Sequence, residues 1–160
     1  MPWAKCAACA ETFHLNVSEP VSWYRERYPK YEFAALVPDL CINCWKKAKA
    51  MWRPFESGKT IGSNGSESGS IIRDEEHELG ARITLESGTT VAPFAITCGV
   101  YGWMFHTRFF SSESEAMESF DSMKDSLAVI LEMIPSKDDY NEATMQSVVL
   151  AIGNFVERFP

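Results

Sequence analysis

Four cysteines carry the most specific chemistry in the chain: Cys6-Ala7-Ala8-Cys9 and Cys41-Ile42-Asn43-Cys44. Two residues between cysteines let a tight turn aim both sulfurs at one ion, and two such turns facing each other close a tetrahedral shell of four thiolates. Zinc is the default ion for that donor set, one per chain. A shell filled by sulfur leaves no position for water or substrate, so the ion is expected to hold structure and perform no catalysis. Buried or redox-active thiols are the competing account, and the joint occurrence of two pairs speaks against it. Cys98 is left over.

The remaining candidates are weaker. His14 lies close to the first pair and reads as a strand surface residue or an outer hydrogen-bond partner. Cys98 and His106 fall on adjacent predicted strands and raise a nucleophile and base reading. No third residue offers to orient the histidine, and a buried structural thiol beside a satisfied imidazole accounts for both. His77 lies within Arg73-Asp74-Glu75-Glu76-His77-Glu78, which reads as a solvated acidic run with an exposed, idle histidine. Gly58-Lys59-Thr60 echoes the end of a phosphate-binding loop, but Arg53 stands where that loop needs its first glycine. No catalytic residue and no cofactor-binding loop is therefore assigned.

At 160 residues, 46% hydrophobic and 23% charged, the chain can bury a core as one medium or two small domains. It has no apolar run long enough to span a membrane, and Met1-Pro2-Trp3-Ala4-Lys5 lacks the apolar centre of a secretory signal. A cytoplasmic location with reduced, metal-held thiols is expected, which also suits an odd cysteine count. Charge is uneven. Residues 1–60 carry nine Lys/Arg against six Asp/Glu, whereas residues 61–160 carry six against sixteen, a net of −10. The acidic part repels a nucleic-acid backbone, so any such contact falls to residues 1–56.

The elements that must position the cysteines follow from patterning. Thr12 to Val17 alternates with Phe13, Leu15 and Val17 on one face and reads as a strand leaving the metal, stopped at Ser18-Glu19-Pro20. Residues 22–32 are interrupted by Pro29, and their aromatics are expected to cover the metal site. Phe33 to Pro38 is a second short strand, and Trp45 to Trp52 a short helix ended by Pro54. On that helix Lys46, Lys49 and Arg53 form a basic stripe. Residues 57–70 hold nine Gly or Ser in fourteen positions, which predicts a flexible linker. The predicted division is 1–56 metal module, 57–72 linker, 73–160 second domain.

In the second domain, Ala81 to Glu86, about Val91 to Cys98, and Trp103 to Phe110 read as three strands of an antiparallel meander. Pro93 suggests an edge or a bulge in the second. Two helices follow. Ser112 with Glu115 signals one start, and Ala116, Met117, Phe120, Met123, Leu127, Ile130, Leu131 and Ile134 recur at helical spacing; Asp139 with Glu142 signals another, with a stripe from Met145 to Phe159. Both stripes are expected to pack on one sheet face.

The ligand pattern from Cys6 to about Trp45 resembles a zinc ribbon or a related zinc-knuckle module. The resemblance implies a structural scaffold with Cys6, Cys9, Cys41 and Cys44 as ligands of one zinc ion. The resulting expectation is an α+β protein: a small zinc-ribbon-like module, a flexible linker, then a three-stranded sheet with two packed C-terminal helices. Its function is expected to be non-catalytic, a protein-protein interaction or regulatory module whose partner is a protein. The alternative is nucleic-acid binding through Arg25, Arg27, Lys30 and the Lys46, Lys49, Arg53 stripe with aromatic stacking. An enzyme centred on Cys98 and His106 comes third.

Overall fold

The computed structural model describes residues 3–6, 9, 10, 12–14 and 42–160. The predicted strand at Phe33 to Pro38, the aromatics from Trp23 to Tyr31, the cations Arg25, Arg27 and Lys30, and Cys41 lie outside the described residues. The architecture is α+β. Strands β1 (Trp3–Lys5) and β2 (Thr12–His14) pair antiparallel, Trp3 opposite His14. Helix α1 (Ile42–Ala50) leads into β3 (Trp52–Pro54), and β4 (Ser70–His77), β5 (Ala81–Ser87), β6 (Phe94–Val100) and β7 (Met104–Phe110) continue the sheet. Helices α2 (Glu113–Met133) and α3 (Glu142–Arg158) end the chain.

The main sheet has five antiparallel strands in the order β3-β4-β5-β6-β7, not three. The three expected strands are present, and the extra pair comes from segments whose composition hid them. Strand β4 is the acidic run itself. Its charges are matched by neighbours that are distant in sequence: Arg82 on β5 pairs with Asp74, and Lys124 on α2 bonds to Glu75, which also takes Arg73 at 2.9 Å. Arg73 in turn reaches Asp121 on α2 and lays its guanidinium 4.0 Å over the Phe120 ring. A strand whose carboxylates are bonded in this way can be half-buried, where a bare acidic run cannot. Strand β3 carries Arg53, which is therefore not on α1; its Nε bonds Glu76 at 3.1 Å, so the predicted basic stripe loses its third member.

Register decides which side chains meet the helices. Ile83 lies opposite Cys98 and Cys98 opposite His106, so Ala81, Ile83 and Leu85, with Ile96, Cys98 and Val100, share one face. That face forms the core with Phe120, Met123 and Leu127 of α2 and Val148, Ala151 and Phe155 of α3. Pro93 precedes β6 and breaks no ladder. Ser112 caps α2 by accepting the Glu115 amide at 3.2 Å. Helix α3 starts two residues later than the Asp139 signature predicts, because Asn141 and Thr144 form the reciprocal capping box while Lys137–Asp139 make a short 3-10 turn.

The Gly/Ser-rich stretch is the largest departure from expectation. Where a free linker is predicted over 57–72, the chain folds back across the helix-free face of the sheet. Gly62 donates to the Ile71 carbonyl at 2.8 Å, Ile71 to that of Ser63 at 2.9 Å, and Gly65 to that of Gly69 at 2.9 Å. It also covers two carboxylates. Asp74 accepts from Thr60 at 2.7 Å and from Thr84 at 3.0 Å as well as from Arg82, and Glu86, 0% exposed, accepts the amides of Glu67 and Gly69 at 3.1 and 3.0 Å. Small residues are required here because backbone passes directly over the Glu86 carboxyl; composition alone does not distinguish that demand from flexibility.

Candidate metal centre

Cys6 follows β1, Cys9 lies in the turn toward β2, and Cys44 is in the first turn of α1. The turn is closed by the Ala10 amide donating to the Cys6 carbonyl at 3.0 Å, with Ala10 in the left-handed region at φ 61°. This hairpin brings two sulfurs of one pair together, and α1 brings the third from a site far along the chain. The sulfurs of Cys6, Cys9 and Cys44 all lie within 4.8 Å of one another, close enough to hold a metal ion. Cys6 is buried, Cys44 half-buried and Cys9 exposed. Free amides in the first turn of a helix favour negative charge, so Cys44 sits where a thiolate is welcome. His14 pairs through its backbone with Trp3.

Helix α1 links this cluster to the sheet. Ala48 is fully buried, and its carbonyl accepts from His77 Nε2 at 2.8 Å while the Leu79 amide donates to His77 Nδ1 at 3.2 Å. The two contacts together select the neutral tautomer with hydrogen on Nε2. Burial also pushes the His77 pKa below its ordinary value, although the Ala48 carbonyl opposes that shift. The ring meets Trp52 edge-on at 5.0 Å. His77 is thus buried and structural, contrary to the exposed position expected from its charged neighbours.

Cys98 and His106 do face each other across β6 and β7, as the strand reading predicts. Their chemistry is spoken for. Cys98 is 1% exposed and burial pushes its thiol up to about 12, while His106 Nε2 lies 2.6 Å from the Phe159 carbonyl and its ring meets Phe155 edge-on. Thr60 of the Gly58-Lys59-Thr60 tripeptide is engaged with Asp74 and free for no phosphate.

The residues that sequence reasoning passed over are on the helix-free face. Arg82 binds Asp74 through Nε at 2.9 Å and Nη2 at 2.7 Å and stacks 3.6 Å over the Phe55 ring. Beside this pair a cleft of about 540 Å³ opens, lined by Asn64, Ser66, Thr84, Thr97, Tyr101 and Phe105 among others. The available sequence signals were the alternation of Arg82, Thr84 and Glu86 and a glycine, Gly99, inside a strand. Among the described residues no helix is long and apolar enough to cross a membrane. No protein family, curated protein or solved structure matches the chain.

Proposed function

We propose that one zinc ion, held by Cys6, Cys9, Cys41 and Cys44, organises the N-terminal region, and that the protein acts without catalysis by binding another protein there. The observation that carries this reading is the convergence of three sulfurs within 4.8 Å. Sulfurs at about 2.3 Å from a tetrahedral zinc stand about 3.8 Å apart, so a small contraction brings the three to ligand geometry. Cys41 is three residues from Cys44, the spacing that lets one turn supply a second sulfur. A four-sulfur shell suits a structural ion in a reducing compartment such as the cytoplasm. The nucleic-acid alternative loses ground because Arg53 is paired with Glu76.

Metal analysis of the intact protein should find one zinc per chain, and Cys44→Ser should lower that content at least tenfold. Chelation should expose residues 1–50 to protease while the sheet and its helices stay resistant. Capture of a protein partner should survive nuclease and be lost in Cys44→Ser. An N-terminal region equally protected with and without metal overturns the structural role, and nuclease-sensitive capture overturns the choice of partner.

A further inference from the structure

We propose that the cleft on the helix-free face of the sheet binds an uncharged, polyhydroxylated ring compound of the sugar class. The site is separate from the cysteines and goes beyond the reading above. Its floor is built from outward positions of adjacent strands, Arg82 and Thr84 on β5 and Thr97 and Gly99 on β6; Asn64 to Ser66 form one wall and Tyr101 and Phe105 the other. About 540 Å³ falls in the range of small-molecule sites.

Gly99 keeps the floor open. A Cβ there would stand 3.2 Å from the Met104 carbonyl oxygen and 3.8 Å from the Phe105 ring. The close β7 backbone favours glycine there, and its missing side chain leaves bare strand beside an aromatic ring. Phe105 is 73% exposed, the highest value among large hydrophobic side chains of the described residues, and Tyr101 is 59% exposed. Two such rings beside a polar floor suit a ligand with one apolar face and a hydrogen-bonding edge.

Charge narrows the class. The Arg82 guanidinium is neutralised by a fully buried Asp74, and the Glu86 carboxylate is turned into the amides of Glu67 and Gly69. The Arg82 charge is thus matched, and the oxygens of Glu86 are taken up by the loop that covers it. Residues 61–160, which supply every lining residue, carry a net of −10, so a phosphate-bearing ligand is repelled. What the floor does offer is the exposed Asn64 amide, Arg82 Nη1, which Asp74 leaves over, and the lone pairs remaining on the Thr84 and Thr97 hydroxyls, which already bond Asp74, Ser66 and Thr107. A sugar ring presents hydroxyls at its edge and C–H groups on its face, which matches both walls.

The test is saturation-transfer NMR on the full chain with glucose, galactose, N-acetylglucosamine, maltose and cellobiose at millimolar concentration, followed by titration calorimetry. At least one should receive saturation, and Phe105→Ala should weaken it at least tenfold without moving the thermal midpoint. Tyr101→Ala provides a second exposed variant. Cys44→Ser should bind the sugar as the parent does, which keeps this result independent of the metal reading. No transfer to any of the five, undiminished binding by both variants, or binding of uridine or tetramethylammonium in place of sugars overturns the proposal.

Discussion

Replacing Gly65 by alanine separates a covering loop from a linker by the sign of its effect. Gly65 has no positive φ, so alanine suits its backbone, but a Cβ would stand 2.1 Å from the Glu86 carboxyl carbon and 2.3 and 2.5 Å from its oxygens. Glu86 must then leave the Glu67 and Gly69 amides and the Ser66 hydroxyl, with its side chain 0% exposed and no equivalent partners at hand. Each charge-assisted bond contributes about 1.5–3 kcal/mol, and partial loss of two amounts to about 3 kcal/mol. With a urea slope near 2 kcal/mol per molar for a chain of this size, the unfolding midpoint falls by about 1.5 M. In a free linker the same change would be neutral or would stabilise by about 0.4–1 kcal/mol, because alanine restricts the unfolded chain. A double-mutant cycle sharpens the contrast. Glu86→Ala removes the obstructing carboxyl, so adding Gly65→Ala to it should cost almost nothing, giving a coupling of about 2 kcal/mol or more. Urea denaturation followed by circular dichroism measures all four proteins. A Gly65→Ala midpoint at or above the parent value refutes the covering role.

Further outcomes follow from two buried groups. Asp74→Ala should destabilise by about 2–3 kcal/mol, below the range for a fully enclosed pair because Arg82 is 34% exposed. Burial alone would raise the Asp74 carboxyl, but bonds from Arg82, Thr60 and Thr84 hold it below its ordinary value. Its contribution is therefore complete above the unfolded value and lost as pH falls through the folded one; Asp74→Asn should flatten stability against pH in that acid window, and an unchanged slope would contradict the network. Cys98, with its thiol near 12, should resist alkylation at pH 8 until the fold opens, and His106→Ala should leave that resistance intact; labelling at the rate of a free thiol would restore the nucleophile reading.

Fold class and most of the second domain were legible because their patterns are local. Ile83 and Leu85 alternate with Arg82 and Thr84, and the α2 stripe from Ala116 to Leu131 repeats at helical spacing, so each element announces its buried face without reference to others. Strand β4 could not be read that way. Its buried face includes His77 and Asp74 lies buried on the opposite one, so hydrophobicity carries no alternation; only the partners Arg82, Lys124 and Ala48, supplied by folding, make those positions tolerable. The same holds at Gly65, where glycine is dictated by the carboxyl of Glu86, 21 positions away. At the candidate metal centre spacing was informative, since Cys6 and Cys9 do approach Cys44.

Helix α1 is where the two parts of the chain constrain each other. Its first turn carries Cys44 and its last turn the buried Ala48, whose carbonyl is fixed by His77 on β4. The principal core draws on Ala81 through Phe159, with Trp52 packed against it, and includes none of the described residues before Trp52. Burial of this core stabilises the sheet and its two long helices at about 25 cal/mol per Å² of apolar surface. Among the described residues the β1–β2 hairpin has three paired positions, and three such pairs alone are too few to stand in water. Because α1 is anchored at Ala48, it presents Cys44 from a fixed position, close enough to Cys6 and Cys9 for the three sulfurs to hold a metal ion.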